Sequence, residues 1–226
     1  PDCKQVCIGL VVSKCGMSIG YEVFEGNRTD VTTLREIVET MERRYGKVDR
    51  IWVGDRGMMS KKNVEFLKPG DRRYIIGAAK ACLRQFEREL LAEDWQQIRE
   101  GLEVKLCPSP EGEDEVYILC RSRDRREKEA AMHQRFEQRI EKELQKIQAS
   151  CGKRKWKKEV IDRRVGRVLG NNSRAAGLFE VEVAEESNGR ATITWQKKEA
   201  WREWATLSEG CYLLRSNVTD WSSQDL

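Results

Sequence analysis

The stretch RIWVGDRGMMSKKNVEFL at residues 50–67 decides how the chain begins to fold. Three apolar residues from Ile51 predict a strand, the glycines around Asp55 predict a turn, and residues 61–67 predict a short helix. The pattern places the Asp55 carboxylate at the end of a strand that we expect to be buried and central, where a charge is costly. A single Asp is more commonly a helix cap or a turn residue. Asp55 is therefore a candidate functional residue whose structural alternative stays open.

Strand and helix signals alternate around this stretch. The predicted elements are antiparallel strands at residues 4–13 and 19–25, a helix at 31–46, and a strand at 72–78. This order, β-β-α-β-α-β, predicts an α/β fold with a mixed sheet and helices on its faces. Functional residues of such sheets often lie at the carboxyl ends of strands, and Asp55 has that position.

The second half of the chain predicts longer helices and further hairpins. Residues 80–101 predict one helix, and residues 123–151 predict a long helix with an apolar stripe at Met132, Phe136, Ile140, Leu144, Ile147 and Cys151. The other predicted elements are strands at 102–108 and 115–122, an amphipathic helix around Val160 to Val168, a hairpin around Asn188-Gly189, a Trp-rich helix, and a strand at 211–216.

Composition limits the classes of function. The chain has 226 residues and no run of 18 apolar residues, so we expect no membrane span. It has eight cysteines without a C-x-x-C pair and one histidine, His133, which we expect at the surface. This pattern argues against a zinc site and favours buried thiols in a reducing cytoplasm. No signal peptide is present, and a core strand follows Pro1 almost at once, so we expect a piece of a longer protein.

Positive charge is concentrated in the middle of the chain. Residues 121–170 hold 17 Lys and Arg against 8 Asp and Glu, a net charge of +9, so the remainder carries −5 of the total of +4. Residues 153–167 hold eight basic and two acidic residues around Trp156. Such a segment favours contact with a polyanion, with the indole against sugar or base. The alternative is a solvated helix face with Trp156 packed on the core.

Several motifs together resemble one family. QVCIGLVVS (5–13), YEVFEGNRTD (21–30), VGDRGM (53–58) and RRYIIGAAK (72–80) occur in the order and spacing of DDE-type insertion-sequence transposases. The similarity extends to YILCRSRDRREKE (117–129) and GCYLLRSN (210–217). It implies a ribonuclease-H-like catalytic core at residues 1–80, an α+β insertion domain at 81–210, and a return to the core at 211–226.

The resemblance also implies a site. Its triad of two Asp and one Glu binds Mg²⁺ or Mn²⁺, and its second Asp matches Asp55, which we expect to be a catalytic metal ligand. The first Asp and the Glu are expected beyond the two ends of this chain, so the isolated chain is expected to be inactive. Asp2, Asp220 and Asp225 lie outside the motif positions and are not assigned.

The function that the resemblance implies is DNA transposition. The enzyme would cleave double-stranded DNA at the element's ends and join it to target DNA, as a homodimer in the bacterial cytoplasm. The residues assigned to DNA contact are Arg56, Lys153, Arg154, Lys155, Trp156, Lys157, Lys158, Arg163, Arg164 and Arg167. Two alternatives remain, a catalytically dead or decayed fragment that only binds DNA and a host nuclease of the same fold.

Overall fold

The computed structural model describes residues 6–13, 15–47, 50–57, 60–69, 71–110, 112 and 114–222. Within them the chain forms ten strands and seven α-helices, together with one 3-10 helix. Asp2, Cys3 and Asp225 lie outside these residues. The chain divides into two compact units. The first takes in Pro1–Ile98, Glu103–Cys120 and Tyr212–Leu226, and the second takes in Arg99–Leu102 and Arg121–Cys211. The assignment to a core and an insertion stays a prediction.

The first unit begins with the predicted hairpin. Strands β1 (Val6–Val12) and β2 (Ser18–Glu25) pair antiparallel in a two-stranded sheet of their own. Phe24 packs against Ile37 and Met41 of helix α1 (Asp30–Tyr45), which buries the inner face.

The outer face of the hairpin is apolar and exposed. Cross-strand pairs Ile8–Val23 and Leu10–Tyr21 lie on it, and these four side chains are 55–64% exposed. Val6 and Val12 extend the same face at 64% and 51% exposure. Successive strand side chains point to opposite faces, and helix α1 covers only one of the two faces of this sheet.

A mixed six-stranded sheet carries the predicted Asp55 strand. Its strand order is β3 (Ile51–Gly54), β4 (Arg73–Gly77), β10 (Cys211–Ser216), β7 (Val116–Ser122), β6 (Leu102–Pro108) and β5 (Gln96–Arg99). Strand β3 runs parallel to β4, whereas β4 and β10 are antiparallel. The α/β class with a mixed sheet is thereby confirmed. The prediction of a buried central strand is wrong for β3, which is an edge strand here and leaves Val53 76% exposed.

A buried carboxylate joins strands β4 and β10. Glu115 is 4% exposed, accepts hydrogen bonds from Arg215 (Nε at 2.9 Å) and from the Tyr74 hydroxyl, and forms an ion pair with Lys68 at 3.5 Å. Burial opposes ionisation of Glu115, but the hydrogen bonds from Arg215 and Tyr74 outweigh it and hold the pKa of this carboxyl below its usual range. Burial and the Glu115 contact raise the pKa of Tyr74.

The long helix predicted for residues 80–101 is wrong. A 3-10 helix (Lys80–Phe86) and a short helix α3 (Glu87–Leu91) take its first half, and edge strand β5 takes its end. The buried Lys105 ammonium donates to the carbonyls of Glu89 (2.7 Å) and Ala92 (3.4 Å) just where α3 stops. These tertiary contacts outweigh the helical propensity of the segment.

The second unit is built on one long helix. Helix α4 (Arg123–Lys153) packs its predicted apolar stripe against helix α5 (Lys158–Asn171), the short α6 (Ser173–Ala176) and the hairpin of β8 (Phe179–Glu185) and β9 (Ala191–Lys197). Their buried core includes Ile140, Leu144, Ile147, Cys151, Ile161, Val165 and Ile193. Helix α7 (Glu199–Ser208) precedes β10. The predictions of α4, α5, α7 and the hairpin are confirmed, whereas the short α6 was not predicted.

His133 of α4 is only partly at the surface, contrary to expectation. Its side chain is 24% exposed, and its Nδ1 lies 2.7 Å from Oε1 of Glu209. Its ring meets the Trp201 ring edge-on, with centroids 5.8 Å apart. The helical periodicity of α4 turns this residue toward α7, because position 133 is adjacent to the apolar stripe.

Candidate active-site carboxylate and nucleic-acid interface

Asp55 follows the last residue of strand β3, as the sequence predicts. The side chain is exposed, and the parallel register of β3 with β4 ends at the Gly54–Ile76 pair. Asp55 therefore lies level with Gly77, at the carboxyl edge of the two parallel strands. Helix α2 (Lys61–Leu67) follows, capped by the Ser60 hydroxyl, which accepts from the Asn63 amide at 3.2 Å. This strand-turn-helix unit leaves the Asp55 carboxylate exposed to solvent, so its charge carries no desolvation cost.

Two glycines leave room for the turn that carries Asp55. A methyl group placed on Gly77 would lie 2.9 Å from the backbone nitrogen of Arg56, closer than side-chain carbons approach backbone. A methyl group on Gly57 would lie 3.2 Å from Oδ1 of Asp55. Both positions therefore favour glycine because the backbone or the carboxylate occupies the space of a side chain. Sequence reasoning missed Gly77, although its place at the end of the paired strand is a usable signal.

The described part of the chain does not form a complete metal site. No group of three or more His, Cys, Asp or Glu side chains within it could hold a metal ion. Asp55 supplies one carboxylate, whereas Mg²⁺ usually takes several oxygen ligands. Asp220, which the motifs leave unassigned, lies 2.5 Å from an Arg73 nitrogen in an ion pair. Within the described ranges, Asp55 is thus a single carboxylate at this edge of the sheet and not part of a carboxylate cluster.

The predicted DNA-contact residues of the second unit lie together on one continuous segment. Lys153 ends α4, Lys158 begins α5, and the loop between them leads into the first turns of α5. We define the basic surface by its exposed cations: Lys153, Arg154, Lys155, Lys157, Lys158, Arg163, Arg164 and Arg167. None of these eight forms an ion pair within 4 Å with another residue of the described ranges, although the Arg164 guanidinium lies over the Trp156 ring. Arg56 is exposed beside Asp55 in the first unit.

Trp156 is held from three sides. Its indole nitrogen donates to the Ser150 hydroxyl at 2.8 Å, its ring packs against the core of the unit, and the Arg164 guanidinium lies 5.1 Å from the ring centroid. This is the packing that the structural alternative expects. Contact of its remaining exposed part with DNA stays a prediction.

An open pocket of about 500 Å³ lies beside the loop. Lys155 and Lys157 line it together with Glu159, Glu185 and Gly189. Two carboxylates beside two ammonium groups do not favour a small anion inside the pocket. The cationic character of this region lies instead along the exposed segment, which suits an extended anion.

Arg190 is a residue of this region that sequence reasoning missed. It follows the Asn188-Gly189 turn, where Gly189 has a φ of 72°. Its Nε donates to the carbonyl of Cys151 at 2.7 Å, and its terminal nitrogen donates to the carbonyl of Gly152. The turn itself is predictable from sequence, but the reach of its arginine to the end of α4 is a tertiary feature.

Comparison with known proteins identifies the domain. No helix in the described ranges is both long and apolar enough to cross a bilayer. No curated protein and no solved structure matches the chain. One family model, described as a transposase DDE domain, matches residues 4–184, which is more than half of the sequence and includes both Asp55 and the basic surface. The chain therefore belongs to the family of DDE-domain transposases.

Proposed function

We propose that this chain acts in a DNA transposase that cleaves DNA at the ends of an insertion sequence and transfers the freed strand to target DNA. Water would attack a phosphodiester at the element's end and release a 3′-hydroxyl, which would then attack a phosphodiester of the target. The observation that carries the proposal is the family match together with Asp55 at the carboxyl end of β3.

In this proposal Asp55 is a catalytic residue and one ligand of a divalent metal ion. Transposases of this family typically use such an ion, and Mg²⁺ or Mn²⁺ suits a carboxylate ligand. The other two carboxylates are proposed to lie outside these 226 residues. The exposure of Asp55 supports the proposal, because a ligand shared with other segments and with DNA must be reachable from solvent.

The proposed partner is double-stranded DNA, bound by a homodimer that pairs two element ends in the bacterial cytoplasm. Arg56 and the basic surface would contact phosphates, since exposed Lys and Arg neutralise backbone charge without reading sequence. Eight exposed cations, none with an internal counter-ion within the described ranges, support this part of the proposal.

The decisive substitution is Asp55→Asn in the full-length transposase. It keeps the shape of the side chain and removes the charge that a cation needs. We expect loss of strand cleavage, unchanged DNA affinity, and a change in unfolding free energy within about 0.5 kcal/mol, as for an exposed site. A turn or cap residue would tolerate Asn, because Asn caps about as well as Asp.

The matched control is Asp114→Asn, which removes an exposed carboxylate that lies outside the quoted family motifs. Cleavage of end-containing duplex DNA, thermal unfolding and DNA affinity are measured on both variants. Near-normal cleavage by Asp55→Asn would end the catalytic assignment. Absence of cleavage by the unaltered full-length protein, with DNA binding retained, would instead favour the catalytically dead, DNA-binding alternative.

A further inference from the structure

We infer that Arg190 is a positioning residue of the DNA interface, which fixes the backbone of residues 152–157 so that the basic surface is presented in one arrangement. The inference rests on the proposed DNA contact of that surface. It adds a residue from another segment of the chain that itself need not touch DNA.

The side chain of Arg190 binds the end of helix α4. Its two donors reach the carbonyls of Cys151 and Gly152, which belong to the last turn of α4. Terminal carbonyls of a helix lack partners within the helix, and they attract cations because of the helix dipole. Arg190 is half-buried, and two of its guanidinium nitrogens donate to these carbonyls. Arg190 is thus directed inward at the helix end.

A second tie fixes the other end of the loop. The amide of Ala191, next to Arg190, donates to the carbonyl of Trp156 at 3.0 Å. The Trp156 indole reaches back to Ser150 at 2.8 Å. Residues 190 and 191 therefore hold both ends of the segment that contains Lys153, Arg154 and Lys155. The turn that carries them is itself braced, since the Arg190 amide donates to the Asn188 side chain at 2.8 Å.

Fixing this loop before DNA arrives should increase affinity. A flexible loop must be ordered on binding, and that ordering opposes association. Arginine is suited to the task because its planar fork can serve two carbonyls at once, whereas lysine presents a single ammonium. A lysine at position 190 would keep the charge without the paired hydrogen bonds. Charge and geometry can therefore be separated by one substitution.

The experiment compares Arg190→Lys, Arg190→Gln and, as a control, Arg167→Gln in the same chain. The control removes an exposed cation farther along α5, outside the loop of residues 152–157. Affinity for a short labelled DNA duplex is measured from about 50 to 200 mM KCl. We expect both Arg190 variants to bind roughly tenfold more weakly, as when one or two hydrogen bonds that hold an interface are removed. Arg167→Gln should lower the slope of log K against log salt by about 0.9.

Limited digestion with trypsin supplies a readout that does not depend on DNA. The loop contains four trypsin sites, at Lys153, Arg154, Lys155 and Lys157. Cleavage requires local opening, so it should be several-fold faster in both Arg190 variants and unchanged in Arg167→Gln. Thermal unfolding confirms that each variant is folded at the assay temperature.

The outcomes separate the two claims. The inference would be overturned if Arg190→Lys bound DNA with the affinity of the unaltered chain. This holds whether trypsin cuts its loop at the unaltered rate or faster. Equal weakening by Arg190→Lys and Arg190→Gln with faster cleavage supports it. Absence of DNA binding by the unaltered chain would overturn the proposed DNA contact, and the digestion would still decide whether Arg190 holds the loop.

Discussion

At the scale of single residues, the placement of Asp55 depends on two nearby glycines, because neither carries a side chain. Gly77 and Gly57 lack side chains at the two points where the turn approaches strand β4 and where the carboxylate folds back. The backbone of Arg56 occupies the space that a side chain at position 77 would need. The small residues thereby determine where the charged residue lies.

Gly77→Ala tests this dependence. The added methyl group must displace the Arg56 backbone, because it would lie 2.9 Å from that nitrogen. We expect a loss of about 1–3 kcal/mol in unfolding free energy, the usual cost of overpacking. Urea unfolding of the isolated chain measures it.

The control for this substitution is Gly166→Ala. Gly166 is exposed on helix α5, and a methyl group there meets nothing within 4 Å. Alanine favours the helical conformation, so this variant should be more stable by about 0.5–1 kcal/mol. Equal effects of the two substitutions would contradict the role given to Gly77.

At the scale of elements, strands β4 and β10 are held by more than their backbone pairing. Glu115 precedes β7 and gathers Tyr74 of β4, Arg215 of β10 and Lys68 at the end of α2. A buried charge of this kind is stable only while its partners remain. The sheet around the Asp55 edge thus depends on one ionised carboxyl group.

The free energy of unfolding should therefore depend on pH in the acid range. The folded pKa of Glu115 lies below its ordinary value of 4.5, so its stabilisation is present above pH 4.5 and is lost as the pH falls below it. Glu115→Gln should cost about 3 kcal/mol at pH 7, because Arg215 loses its buried counter-ion. The variant should also show a shallower loss of stability in acid.

Urea unfolding of both proteins between about pH 3 and 7 measures these effects over the range in which carboxyl groups titrate. Glu65→Gln is the control, since Glu65 is exposed on α2. An identical acid dependence in Glu115→Gln and the unaltered chain would assign the acid sensitivity to other groups.

The part of the basic surface at the junction of α4 and α5 can be tested separately. Replacing Lys153, Arg154, Lys157 and Lys158 by Gln should weaken DNA binding and reduce the slope of log K against log salt by about 0.9 for each phosphate that is no longer neutralised. Fluorescence anisotropy with a DNA duplex over a range of KCl concentrations measures the slope. A set of four Gln substitutions at Lys142, Lys146, Arg135 and Arg139 of α4 is the control for net charge.

An unchanged slope in the loop variant would mean that these side chains face only solvent. An equal change in the α4 set would mean that total charge, and not this loop, governs binding. The two sets remove the same formal charge from neighbouring segments and differ in position and in the ion pair of Lys146 with Glu143 at 2.6 Å.

Elements with strong periodicity were predictable from sequence, and those decided by distant contacts were not. The apolar stripe of α4 and the alternating apolar residues of β1 and β2 repeat over many residues, so the sequence alone predicts these elements. Strand β5 is different, because Gln96–Arg99 has no strand pattern and pairs at a sheet edge. The Asp55 turn was predictable because Gly-Asp-Arg-Gly is a local signal. The Arg190 contacts join residues 38 or 39 positions apart and leave no local signal.

At the scale of the whole molecule, the chain should bind DNA without cutting it. It provides the basic surface and one carboxylate of the proposed site, and no cluster in the described ranges could hold a metal ion. We expect no specific 3′-hydroxyl formation from end-containing DNA with Mg²⁺ or Mn²⁺. Primer-extension mapping of the products measures this, with the full-length transposase as the positive control. Specific cleavage by the isolated chain would show that the triad assignment is wrong.

The outer face of the β1–β2 hairpin has a practical consequence for every such assay. Six apolar side chains on one small sheet are more than half exposed. We expect such a patch to favour self-association of the isolated chain. Sulfate and phosphate strengthen apolar contacts, whereas simple chloride mainly screens charge. In a sulfate titration, precipitation of the protein would therefore mimic salt-induced release of DNA. Chloride, together with light scattering on the same samples, keeps the two processes distinguishable.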